Sequence, residues 1–80
     1  DLRNQINELV KSINPQLSIH DLRTVPGPTH TNVIFDCVKP ADFELPDEEL
    51  KQRISQIVSE KHPEAICKIT IDQSYISAHQ

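Results

Sequence analysis

Several things are scarce in this 80-residue chain: one glycine, one tyrosine, two phenylalanines, two cysteines, and no tryptophan or methionine. A single glycine cannot build a phosphate-cradling Gly-rich loop or a dinucleotide fingerprint, and no nucleophile-and-base constellation is present, so no enzyme is predicted. The two cysteines, Cys37 and Cys67, lie in neither a CxxC nor a dense framework, which suits a reduced, cytosolic chain. Eight basic against twelve acidic side chains give a formal charge of −4 with no basic cluster interleaved with aromatics, which argues against nucleic acid as a partner. No apolar run approaches the ~20 residues of a spanning helix, and no signal peptide precedes the first periodic segment, so the chain as given is expected to be soluble. With no repeats or low-complexity segments, residues 1–80 read as a single domain. Its core is small enough that a second copy or a bound ion would help it. The start at Asp1, already inside a helical pattern, suggests a piece of a longer protein.

What is present divides into five segments. Leu2, Ile6, Leu9, Val10 and Ile13 mark one face of a helix that Asn14-Pro15 ends. Leu17 to Val25 reads as a strand, Pro26-Gly27-Pro28 as a turn whose glycine can take positive φ, and Thr31 to Lys39 as a second strand closed by Pro40. Pro46 and Asp47-Glu48-Glu49 form a helix entrance, because proline suits the first turn and carboxylates suit the positive end of the dipole. Leu50, Ile54, Ile57 and Val58 give that helix its apolar stripe, and Lys61 and His62 end it before Pro63. Ile66 to Gln73 is a third strand with Cys67, Ile69 and Ile71 on one side and Lys68, Thr70 and Asp72 on the other; Ser74–Gln80 is a polar, frayed tail.

The order α-β-β-α-β predicts an α+β fold. The tight turn makes an antiparallel hairpin, and the second helix is long enough for a right-handed crossover to a parallel neighbour. The expected architecture is a three-stranded mixed sheet with two helices on one face, resembling a ferredoxin-like fold without its first strand. The other face is then uncovered. If Phe35 points to the helices, that open face carries Ile34, Asp36 and Val38, apolar residues around a carboxylate, which is the composition of a contact surface.

The stretches His20-Asp21-Leu22-Arg23, Gly27-Pro28-Thr29-His30-Thr31-Asn32, Ile34-Phe35-Asp36 and Ile69-Thr70-Ile71-Asp72, together with the Leu50-to-Val58 helix, resemble in order and spacing the cytoplasmic C-terminal domain of the cation diffusion facilitator transporters. The resemblance implies a regulatory domain on the cytoplasmic side of the cell membrane, below the transmembrane domain of its parent chain. It further implies that the domain forms a homodimer and binds metal ions to modulate export, with no small-molecule substrate. It carries the family's ligand positions onto His20, Asp36 and Asp72. Many zinc-binding members have histidine where this chain has Asp36 and Asp72, and a carboxylate where it has Ser74. Two carboxylates and one imidazole make a harder site for a divalent metal ion, zinc in the first place, with manganese or iron also admitted.

Structural roles stand beside each of these. His20 can instead hydrogen-bond within the hairpin. Asp36, a carboxylate in mid-strand that β propensity disfavours, can instead pair with Arg23 or Lys68, and Asp72 can be a solvated strand-end residue. His30 caps the hairpin or supplies a peripheral ligand, His62 serves a helix C-terminus, His79 is in the tail, and the cysteines read as small buried hydrophobes. The alternative to a metal-binding regulatory domain is a purely structural dimerisation module. A metallochaperone would want the CxxC that is missing.

Overall fold

The computed structural model describes residues 1–74. The first helix, α1 (Leu2–Ile13), starts where the Asp1 carboxylate accepts the Asn4 N–H at 2.9 Å, satisfying one of the free donors of the first turn. It buries Ile6 and Val10 completely and stops where Asn14 turns extended ahead of Pro15. Lys11 Nζ donates to the carbonyls of Leu17 at 2.8 Å and Pro15 at 3.3 Å, tying the chain back onto the helix as it leaves.

Strands β1 (Ser18–Pro26) and β2 (Thr31–Pro40) form the antiparallel hairpin. Helix α2 (Asp47–Lys61) crosses over to β3 (Ala65–Ser74), which pairs parallel to β2, giving a sheet of order β1-β2-β3. The predicted element order and pairing are those observed. Pro46 sits one position outside α2 as its N-cap, where its carbonyl accepts the Leu50 N–H at 2.9 Å; at the other end His62 is the C-cap and donates its backbone N–H to Val58 at 2.7 Å. Of the expected polar tail, only Ser74 is described, and it closes β3; the rest, with His79, lies outside the described residues.

Alternation along β2 decides where the core sits. Val33, Phe35 and Cys37 point to the helices and are buried with Ile19, Ile6, Val10, Leu17, Leu50, Ile54 and Val58, while Ile34, Asp36 and Val38 are half-buried on the other face. Cys67, Ile69 and Ile71 of β3 pack against the same core, as the pattern predicts. Both helices therefore cover one face of the sheet and leave the second without a helix.

Three local features depart from the expectation. The β1–β2 register runs His20↔Asp36 and then Arg23↔Ile34, so Asp21 and Leu22 together oppose Phe35 in a β-bulge, with Asp21 at φ 58°. Aspartate is one of the few side chains that tolerate this left-handed conformation. The bulge is what allows Ile19 and Leu22, three residues apart, both to face the core. Secondly, Gly27 does not take a positive φ. A Cβ there would lie 2.8 Å from the His30 carbonyl oxygen, which also accepts the Gly27 N–H, so close approach and not handedness demands glycine. Thirdly, Lys39 continues the inward set of β2 and is only 5% exposed, with its Nζ 2.6 Å from the Asp47 carboxylate and 3.3 Å from the Leu45 carbonyl. Asp47 is thus more than a helix-start charge: it fastens the beginning of α2 to the end of β2.

Candidate metal site on the open sheet face

The register sorts the open face into four cross-strand rows: Ser18–Val38–Asp72, His20–Asp36–Thr70, Arg23–Ile34–Lys68 and Val25–Asn32–Ile66. Residues directly opposite one another share a face, with Cβ atoms about 4.5–5.5 Å apart. His20 and Asp36 are such a pair. The bulge follows His20 immediately, so the histidine is held in register with Asp36 by the regular first part of β1, and the slip in register comes only afterwards. The His20 Nε2 lies 3.3 Å from the Ser18 hydroxyl, its neighbour on the same face, which orients the ring. Asp36 is half-buried and has no hydrogen bond or ion pair among the described residues; neither Arg23 nor Lys68, both one row away, reaches it.

Asp72 shares this face but stands diagonally from Asp36, two residues beyond Thr70, a backbone separation of roughly 8 Å from strand spacing and rise. The sheet brings His20 and Asp36 together and leaves Asp72 beside them: among the described residues no group of three or more His, Cys, Asp or Glu side chains is placed to hold an ion. One protomer therefore offers an imidazole nitrogen and a carboxylate oxygen, which is a fraction of the four ligands of a tetrahedral zinc shell. Asp72, water or a second chain would have to complete it.

The other candidates lie elsewhere. His30 is in the β1–β2 loop with its Nδ1 2.9 Å from the Thr29 hydroxyl, and its backbone closes the hairpin. His62 lines a shallow cavity with Gln5, Glu8, Leu9 and Lys61, on the helix side of the molecule. The thiols point into the core. Burial pushes Cys37 up to about 11, a nearby Lys39 opposing it only in part, and burial also raises Cys67. Cys67 pairs with Val33 and Cys37 with Ile71, four residues further along the sheet, so roughly 13 Å of strand separates them and no disulfide can form between them.

Two features of the site's surroundings escaped the sequence reading. The bulge had a signal in the odd spacing of Ile19 and Leu22, which plain alternation cannot place on one face. Lys39 had one in its parity, shared with Val33, Phe35 and Cys37.

No protein-family model and no curated protein matches the sequence. Solved structures do. The chain superposes on CzrB, proposed to be a zinc transporter and described for its mode of action, with a TM-score of 0.72 at 20% identity over 89% of this chain and 90% of that one. It superposes on the metal-bound C-terminal domain of the CzcD transporter from Thermotoga maritima with a TM-score of 0.66 at 15% identity over 98% of this chain and 92% of that one. This chain has the fold of those domains. The fold expected from the motifs and the fold shared with these two solved structures are the same. Among the described residues no helix is long and apolar enough to cross a membrane.

Proposed function

We propose that the chain is the cytoplasmic regulatory domain of a divalent-cation efflux transporter of the cation diffusion facilitator family, dimerising and binding metal ions to modulate export. The observation that carries this reading is the opposed His20–Asp36 pair on the helix-free face, within a fold shared with a metal-bound transporter domain. The pair suits a divalent cation chemically. The neutral imidazole supplies a borderline nitrogen and Asp36 a hard oxygen, half-buried and without a protein partner among the described residues. Asp72 is close enough on the same face to contribute through water or from the partner copy. Zinc stands first among the ions, and the two carboxylates make the donor set harder than a histidine-rich one, which weakens the preference for zinc and admits manganese or iron.

The dimer is proposed to use the open face, where Ile34 and Val38 stay half-buried in the single chain with no helix to cover them. A cation that draws two copies together must bind the closed arrangement more tightly than the open one, and it can bias the attached membrane domain by no more than that difference. The protein groups act by binding: His20 coordinates through a ring nitrogen that carries no proton, so a proton and the metal compete for that atom.

Calorimetry in buffers of different ionisation enthalpy tests the ligand, and small-angle scattering tests the consequence. Zinc or manganese should bind with proton release and compact the dimer, and His20→Ala and Asp36→Ala should each abolish the compaction while leaving the apo fold intact. Equal compaction in both variants and parent would make this a structural dimerisation module, with metal acting elsewhere or not at all.

A further inference from the structure

The two outer edges of the sheet differ. On β1 the edge is interrupted by the Asp21 bulge and ends in Pro26, devices that discourage a further strand. On β3 the edge is a regular ten-residue strand with no proline, glycine or bulge, and no described strand lies beyond it. The side of β3 on which the backbone groups project follows from one bond. Thr31 N–H donates to the Glu64 carbonyl at 2.9 Å, so the alternate residues in phase with Glu64, which include Lys68, Thr70 and Asp72, bond inward to β2. The amides and carbonyls of Cys67, Ile69 and Ile71 then face outward, where the sheet offers them no partner strand.

We infer that the β3 edge pairs antiparallel with β3 of a second copy of this chain about a two-fold axis through Thr70. In that register Ile69 lies opposite Ile71 of the second copy and Ile71 opposite its Ile69, so the outward backbone groups of both residues close into ladder hydrogen bonds. Thr70 meets its own twin. Lys68 falls opposite Asp72 of the second copy, and Asp72 opposite its Lys68. The sequence Lys68-Ile69-Thr70-Ile71-Asp72 is therefore self-complementary in charge when read in opposite directions. The phase agrees as well: Thr70, Lys68 and Asp72 occupy the non-hydrogen-bonded sites of an antiparallel pair, where opposed side chains come closest. Lys68 and Asp72 are exposed and make no hydrogen bond or ion pair among the described residues, so both charges are unspent in the single chain. On the helix side, α2 borders the cleft beside Cys67 with Ser55, Gln56 and Ser59, of which the two serines are small enough to let a second helix layer approach.

A two-fold perpendicular to the sheet keeps both pairs of helices on one side. The result is a six-stranded sheet with one continuous open face that carries two His20–Asp36 pairs. This contact uses a different surface from the face contact proposed above, so a chain with both would assemble dimers of dimers.

Amide hydrogen exchange of the full chain with a chelator present, compared between dilute solution and about 1 mM, tests the edge independently of the face. The Ile69 and Ile71 amides should exchange about tenfold more slowly when concentrated, since a face contact would leave these edge amides in water. Lys68→Asp should remove that protection and weaken the association about tenfold, and the swapped double variant Lys68→Asp with Asp72→Lys should restore both. Unchanged exchange at Ile69 and Ile71 overturns the edge contact. Should Ile34→Glu still dissociate the chain in that case, the face dimer stands without it. Protection that survives Lys68→Asp overturns the register through Thr70.

Discussion

The two faces of the sheet are made from alternate residues of the same three strands, yet they are built to opposite rules. On the helix side, Ile19, Val33, Phe35 and Cys37 are buried and satisfied by packing alone, and Lys39, the one buried charge among the described residues, is locked to Asp47 and the Leu45 carbonyl. On the open side, every row holds a polar or charged side chain: Asp72, His20 with Asp36, Arg23 with Lys68, and Asn32 between Val25 and Ile66, which are 48% and 41% exposed. The difference shows how a small domain separates its packed core from the face proposed for recognition. Because adjacent residues of a strand point to opposite faces, Phe35 can serve the core and Asp36 the surface with no compromise between them.

That separation can be broken most severely at Phe35. Phe35→Ala should cost about 3–5 kcal/mol in urea unfolding, whereas Asp36→Ala next to it should change apo stability by no more than about 1 kcal/mol. Comparable destabilisation at both positions would mean that the open face contributes to the fold as much as the core does.

The next largest effect is a pH dependence that belongs to the helix side alone. The neutral form of Cys37 is its protonated thiol, and burial raises its folded value from 9.0 to about 11. Below pH 9 both folded and unfolded chains hold the proton and stability is unaffected. Between about 9 and 11 only the unfolded chain ionises, so stability should fall by roughly 3 kcal/mol at most. Chemical denaturation across that range checks it, and Cys37→Ala should flatten the slope, leaving only the contribution of Cys67, whose shift has the same sign.

Lys39 probes the seam between the layers. Lys39→Ala removes a charge-assisted bond to Asp47 and should cost about 1.5–3 kcal/mol, with the first turn of α2 the earliest to exchange its amides. Lys39→Met, which keeps the buried stem, should cost less, because Asp47 is 54% exposed and water can replace the ammonium as its partner.

The smallest effect on folding and the clearest on assembly belongs to Ile34→Glu. Its stability change should stay within about 1 kcal/mol, while sedimentation should show the proposed face-to-face dimer replaced by a slower species. An unchanged association would take Ile34 out of the interface.

How legible all this was from sequence depends on which physical signal a feature leaves. The strands and helices follow from apolar periodicity and from Asn14-Pro15, Pro40, Pro46 and Pro63, which act locally and need no knowledge of the rest of the chain. The sidedness of Phe35 and Asp36 follows from alternation once the helices are assigned to one face. The opposition of His20 and Asp36 is a matter of register, which a hairpin loop only constrains; the strand pattern put the histidine and the carboxylate on consecutive strands, and the motif resemblance singled them out as ligands. The Lys39–Asp47 bond joins residues that read separately as a strand end and a helix start, and only the tertiary path of the intervening loop brings them together. Gly27 was expected to supply handedness, and the actual reason, the approach of the His30 carbonyl, exists only after the loop has closed.

The bulge at Asp21 has a consequence for how the two halves of β1 keep time. Strand alternation works like a two-beat count, and a strand with Ile19 and Leu22 both on the downbeat is out of step by one. Asp21 is the extra count that lets the second half re-enter correctly, so the chain before it is phased to the His20–Asp36 row and the chain after it to the Arg23–Ile34 row. Pairing Asp21 regularly, with no bulge, would leave every neighbour's chemistry unaltered and still force a choice: either Leu22 turns to water with Arg23 toward the core, or the first half slips and His20 no longer faces Asp36.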